Sequence, residues 1–196
     1  SEPGSGSDLS SLRTRAVADG DDYVVTGSKI WTTHAQFADH IFCLVRTRTE
    51  GKPQAGITFL LIPMDLPGIR VEPIITMHGD HEVNQVFFDD VRVPQANRVG
   101  PEHEGWTVAK YLLEFERGAT GSAPRLTVEL DELEAVARAE TDAGVTLIDD
   151  PGFRARLSAL RIRLRALEVQ ELDTLARVAR GDSPGPGSSL AKNASV

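Results

Sequence analysis

Thr26–His34, TGSKIWTTH, is the stretch from which the rest of this chain can be read. A glycine at position 27 releases a short run in which one large indole, Trp31, is flanked by the hydroxyls of Ser28, Thr32 and Thr33. An indole has a broad apolar face and a single N–H, so it suits a place with an apolar body beside a polar contact. Hydroxyls close by can donate to or accept from the edge of a planar heteroaromatic ring. Together they would form one wall of a ring-binding pocket. The plainer alternative is a Trp that fills the core of a β-rich region.

The surroundings are β-type from Arg13 to Pro94. TRAVADGDDYVVTG, just before the Trp, reads as a hairpin around Asp19-Gly20-Asp21. HIFCLVRTR, ITFLLIP, IRVEP and NQVFFDDVRVP follow, each short and bounded by Gly, Pro or Asp. That spacing predicts a compact antiparallel sandwich or barrel, with Pro63, Pro67 and Pro73 at strand ends or edges. After Gly100 the pattern changes to helix. Gly105 to Thr141 carries apolar residues at helical spacing and should bend or break near Gly118, Gly121 and Pro124. Asp150-Pro151 is a helix start, with Asp as cap and Pro in the first turn. The helix from there to about Arg180 has Phe153, Leu157, Leu160, Leu164 and Leu167 on one stripe, and five arginines between 154 and 165 mostly off it. Those arginines read as a solvated face. Two helices cannot bury their own stripes, so the bundle needs further helices. The expected class is α+β: an antiparallel β-sandwich or barrel over 1–100, then a partial antiparallel helical bundle over 101–196.

Composition narrows the function. The 196 residues carry a net charge of −8, which argues against a nucleic-acid binder and offers anions no general attraction. An anionic ligand would need local Arg, Lys or backbone N–H groups. No apolar run approaches membrane-spanning length, and the single Cys43, in IFCLV, reads as a buried reduced thiol of a cytoplasmic protein. His78, His81 and His103 show no metal-ligand pattern. Neither end has a natural start or stop, so a fragment is expected. Ser1–Ser11 is either a flexible linker or a loop whose glycines let backbone N–H groups approach a ligand, with Ser5, Ser7 and Asp8 as side-chain partners. It is neither a P-loop nor a dinucleotide fingerprint.

SEPGSGSD at 1–8, TGSKIWTTH at 26–34, FFDDVRVP at 87–94, Gly105-Trp106 and LLEFERG at 112–118, in this order, resemble the acyl-CoA dehydrogenase family. They match its middle β-domain and the first helices of its C-terminal helical domain. The resemblance implies an FAD enzyme that oxidises the Cα–Cβ bond of an acyl-CoA thioester. It implies that the loop Glu2, Pro3, Gly4, Ser5, Gly6 and Ser7 contacts the flavin, with Ser7 nearest both flavin and thioester. Trp31, Thr32 and Thr33 would lie along the flavin ring. Glu114 and Arg117 would meet the acyl-CoA, with Arg117 as the cation near CoA. His34, where relatives often carry Asn, is given no role.

Desaturation needs a carboxylate base for the α-proton and a hydride acceptor for the β-hydrogen. Most members of the family place the base late in the C-terminal domain, beyond Val196; a minority place it immediately before the arginine of the LLEFERG motif, which here is Glu116. The resemblance also implies an electron-transfer flavoprotein or similar acceptor, and assembly as a homo- or hetero-oligomer, dimer or tetramer. One departure stands out. The family's R-x-x-F-G segment corresponds to ETDAGVTLIDDP at 140–151, which has neither its Arg nor its Phe. An acyl-CoA oxidase and a non-catalytic subunit of a heteromer are the alternative readings.

Overall fold

The computed structural model describes residues 1–119, 122–142, 144–185 and 187–194, without the side chains of 117–119, 188 and 194. The chain forms two compact units, Ser1–Lys110 and Tyr111–Val196.

The first unit is built on the hairpin read from the sequence. β1 (Arg15–Asp19) and β2 (Asp22–Thr33) pair antiparallel from Arg15 with Thr26 to Asp19 with Asp22. Gly20 supplies the left-handed turn between them at φ 63°. β3 (His40–Arg46), β4 (Ile57–Pro63), β5 (Ile69–Ile75) and β6 (His81–Pro94) complete one six-stranded sheet in the order β4-β3-β1-β2-β6-β5. It is a mixed sheet, not the purely antiparallel one expected. The hairpin reverses the chain once and the short turn at Ala35–Phe37 reverses it again, so β3 runs parallel to β1, paired through Arg15 and Arg46.

Ala16, Tyr23, Val25, Leu60, Ile62, Val86, Val91 and Val93 form a single core, with Ile69 and Val71 of the other edge strand packed against it. The sheet therefore curls until its two edges share one interior, while its ladder stays open between β4 and β5. Leu12, Leu44, Ile57, Phe59 and Ala109 form a second cluster, joined by Leu9, Trp106 and Val108. This cluster seats the start of α1 (Gly105–Ala119). A Cβ at Gly105 would stand 2.4 Å from the Phe59 nitrogen, so only glycine lets the helix begin flush against β4.

The second unit holds α2 (Ala123–Ala139), a two-residue hairpin of β7 (Thr141–Asp142) and β8 (Val145–Thr146), α3 (Pro151–Ala179) and α4 (Gly187–Ala194). α1 and α2 are separate helices and Pro124 lies in the first turn of α2; Gly121, named with Gly118 and Pro124 as an expected breaking point, lies outside the described residues. Glu171 of α3 holds the start of α2, accepting from the Ser122 nitrogen and hydroxyl at 2.8 Å each and from the Ala123 nitrogen at 3.2 Å. Ala123, Leu167 and Ala191 are the buried centre here, with Leu126 and Leu164 against them. Leu157 is buried too, but Val128, Leu133, Val136, Leu160, Leu172 and Leu175 remain exposed, as two stripes with too few helices require. Two of the five arginines make surface ion pairs, Arg161 with Asp131 and Glu134 and Arg165 with Glu168.

Asp150 caps α3 as the sequence suggests, its Oδ1 accepting from the Phe153 nitrogen at 2.6 Å. Asp150→Ala is expected to lower stability by about 1 kcal/mol, read as a reduced unfolding midpoint; Asp150→Asn should keep most of it.

Candidate functional site

The N-terminal loop is tightly made. Glu2 and Ser5 exchange backbone hydrogen bonds at 3.2 and 3.0 Å, closing a turn through Pro3 and Gly4. The Ser5 hydroxyl is buried and lies 2.9 Å from that of Ser11, and Ser10 donates to Asp8 at 2.7 Å. The Ile30 nitrogen donates to the Ser1 carbonyl at 3.0 Å, which fixes this loop beside β2, one residue from Trp31.

Glu2 itself points inward. Its Oε1 accepts from Lys29 Nζ at 2.7 Å and from the Thr14 nitrogen at 3.0 Å, and its Oε2 from the Arg13 nitrogen at 2.6 Å. Lys29 Nζ also donates to the Leu44 carbonyl at 2.7 Å. Both side chains are nearly sealed, at 8% and 6% exposure. Burial by itself would raise the Glu2 pKa, but the Lys29 charge and the hydrogen bonds from Lys29, Arg13 and Thr14 outweigh it, so the carboxyl is held below its ordinary value. Gly27 makes this convergence possible. It lies within β2, paired with Phe88. A Cβ there, at φ 150°, would sit 2.7 Å from the Thr14 Cα.

Trp31 is not a core residue. It sits at φ 62°, left-handed, with 60% of its surface exposed. The cause is a bulge: Lys29 pairs with Val86 and Thr32 with Asn84, so Ile30 and Trp31 together face Gln85 alone. A bulky residue in the left-handed region costs roughly 1–3 kcal/mol and persists only where the surroundings enforce it. Lys29 precedes the bulge, and Asn84 bonds the residue that follows it. Asn84 is fully buried; its Nδ2 donates to the Thr32 carbonyl at 3.1 Å and to Gln36 Oε1 at 2.6 Å, while its Oδ1 lies 2.7 Å from His81 Nε2.

What this construction presents outward is Trp31 and Thr33 on β2, with Pro3, Gly4, Gly6 and Ser7 on the loop. Among the described residues no ring stacks on the indole. Nothing lies within 4 Å of where a Cβ would stand at Gly4 or Gly6, so their backbone is open to close approach. An exposed indole, free hydroxyls and bare glycine backbone, with the Glu2 carboxylate turned away, suit an extended planar heteroaromatic group such as a flavin. Thr32 contributes through its carbonyl, already taken by Asn84.

On α1, Glu114 and Glu116 are exposed. Glu114 accepts from the Ser183 hydroxyl at 2.9 Å, and Tyr111 and Phe115 have ring centroids 4.8 Å apart. The Arg117 side chain lies outside the described residues.

Lys29 and Asn84 were missed in the sequence. A signal for Lys29 existed: it shares the parity of the inward-facing Tyr23 and Val25 along β2, and a lysine at such a position calls for a buried partner.

A β-unit followed in sequence by a helical unit makes this a two-part α+β protein. The family models for "Acyl-CoA dehydrogenase, middle domain" and "Acyl-CoA dehydrogenase, C-terminal domain" match residues 1–91 and 103–196. The chain belongs to the acyl-CoA dehydrogenase family. It is 40% identical over 177 residues to acyl-CoA dehydrogenase IpdE1 of Mycobacterium tuberculosis, covering 89% of this chain and 45% of the relative. It is 38% identical over 200 residues to acyl-CoA dehydrogenase FadE26 of the same organism, covering 100% and 50%. Among solved structures, the ChsE4-ChsE5 complex from Mycobacterium tuberculosis superimposes with a TM-score of 0.83 at 39% identity, over 100% of this chain and 50% of that one. The Tcur3481-Tcur3483 steroid ACAD gives 0.84 at 31%, with the same coverage. The chain thus spans about half the length of the curated relatives it matches.

Proposed function

We propose that the protein carrying these residues is an FAD-dependent dehydrogenase that desaturates an acyl-CoA thioester. The observation that carries this reading is the exposed, left-handed Trp31 on a strand whose Ile30 bonds the start of the loop bearing the open backbone of Gly4 and Gly6. Trp31 would flank the flavin ring, Thr33 would bond its edge, and the loop from Pro3 to Ser7 would lie along it. Glu2 would serve by holding that loop. Bound FAD supplies the acceptor for the β-hydride. Glu116 is the candidate base: its carboxylate takes the α-proton as the Cα–H bond breaks, and the electron pair left behind forms the new double bond while the β-hydride departs. Ser7 and Arg117 would bind the thioester and its CoA. Glu114 would act from the substrate side of α1, steadied by Ser183.

The ChsE4-ChsE5 neighbour is a complex of two proteins, which supports assembly of this chain with a second subunit, its own copy or another. An electron-transfer flavoprotein or similar acceptor would reoxidise the flavin.

The test is the visible spectrum of the complete purified protein. A flavin band is expected, and anaerobic addition of acyl-CoA esters from a panel of straight-chain and ring-bearing acids should bleach it. A protein that contains no flavin, or whose flavin no thioester in the panel reduces, would overturn the reading. Rapid oxygen uptake during turnover would make it an oxidase.

A further inference from the structure

We infer that Lys29 and Asn84 are positioning residues for the ring-binding edge: two buried polar posts that hold Trp31 in its left-handed, outward setting. This rests on the flavin reading above and specifies what builds that site.

The geometry is symmetrical about the bulge. On the N-terminal side, Lys29 is tied to the Leu44 carbonyl of β3 and to Glu2 of the ligand loop at 2.7 Å each. On the C-terminal side, the Thr32 carbonyl is tied to Asn84 of β6 at 3.1 Å, and Asn84 is itself held by Gln36 and His81. Between the posts stand only Ile30, bonded to the Ser1 carbonyl, and Trp31. The left-handed conformation of an aromatic residue is unfavourable by itself, so it relaxes wherever its flanks are released.

Release of either flank would have one shared consequence. Trp31 would return toward an extended conformation, and a strand residue that loses its bulge turns toward the opposite face. The indole would leave the loop at Pro3–Ser7, and a ligand would then have to order the site as it bound. Lys29 has a further part that Asn84 lacks, because the same ammonium group holds the loop through Glu2. Its loss should displace both walls; loss of Asn84 should displace the indole alone.

The experiment compares Lys29→Met, Lys29→Arg, Asn84→Ala, Trp31→Ala and Tyr23→Phe in the complete protein. Tyr23 is the control: it is buried and bonded to Glu102 and Arg98, so its hydroxyl matters to the fold but not to the bulge. The readouts are flavin affinity by titration of apoprotein, the visible circular dichroism of bound flavin, and the melting temperature. Lys29→Met and Asn84→Ala are expected to weaken flavin binding about tenfold to hundredfold, as loss of supporting contacts does elsewhere, and to change the dichroism in the direction seen for Trp31→Ala. Lys29→Arg should recover most of the affinity. Tyr23→Phe should lower the melting temperature without altering the dichroism. If Trp31→Ala changes affinity and dichroism but Asn84→Ala and Lys29→Met leave both intact, the posts have no positioning role. Should Lys29→Met fail to fold, Asn84→Ala and Lys29→Arg decide. If Trp31→Ala itself changes nothing, the flavin site is misplaced and the underlying reading fails.

Discussion

Lys29→Met is expected to destabilise the β-unit by about 3–5 kcal/mol, because it leaves the buried Glu2 carboxylate without its counter-charge. Both members of the pair are almost completely sealed, so solvent cannot screen the loss. The Arg13 and Thr14 nitrogens would still donate to Glu2, and the Arg46 guanidinium would act on it through charge alone. Lys29→Met with Glu2→Gln should recover part of the loss, since a neutral amide is far less costly to bury than an unpaired carboxylate. The pair also sets a pH dependence. The Glu2 pKa is lowered in the folded protein, so its contribution is present above the ordinary carboxylate range and is lost as pH falls through the lowered value. In Lys29→Met burial would act on Glu2 without the Lys29 charge to oppose it, so the slope should reverse and acid should partly relieve the destabilisation. Urea unfolding midpoints collected from neutral to acid pH measure both effects, and an unchanged midpoint at neutral pH would show that the pair carries no such weight.

Glu116→Gln should slow flavin reduction by acyl-CoA by about 10²–10⁴-fold, the usual share of a positioned general base. Glutamine keeps the size and helix propensity of glutamate but cannot take the α-proton, so flavin content and thioester binding should persist. Anaerobic stopped-flow bleaching of the flavin separates the two. Reduction at the original rate would remove Glu116 from the role and place the base elsewhere in the complete protein. Glu114 serves as the internal comparison: two residues away on the same helix and bonded to Ser183, it should affect thioester affinity more than the rate of the chemical step.

Much of this architecture was legible because it is encoded locally. Asp19-Gly20-Asp21 states a hairpin, Asp150-Pro151 states a helix start, and the leucine stripe of α3 states a face in need of cover. Motif order suggested that β2 and the Ser1–Ser7 loop belong together, and the Ile30 nitrogen does bond the Ser1 carbonyl. What could not be read were the long-range pairings. Nothing local joins Glu2 to Lys29, or Thr32 to Asn84; such contacts exist only once the strands are in register. The bulge escaped notice for the same reason. It is a property of two strands counted against each other, and a count along β2 alone gives no sign that Ile30 and Trp31 share one opposing residue. The parallel β1–β3 pair was likewise hidden, since it depends on two successive reversals and not on the composition of either strand.

The extra residue opposite Gln85 has an evolutionary corollary. Between Lys29 and Thr32 the chain can exchange one amino acid for another and keep the two-against-one count, but it cannot gain or lose one. A single-codon deletion there would restore strict alternation: Thr32 and Thr33 would keep Asn84 and Val83 as partners, but the bulge that sets Trp31 in its left-handed conformation would be gone. Substitutions at this edge are therefore expected to disturb the bulge less than any change of length.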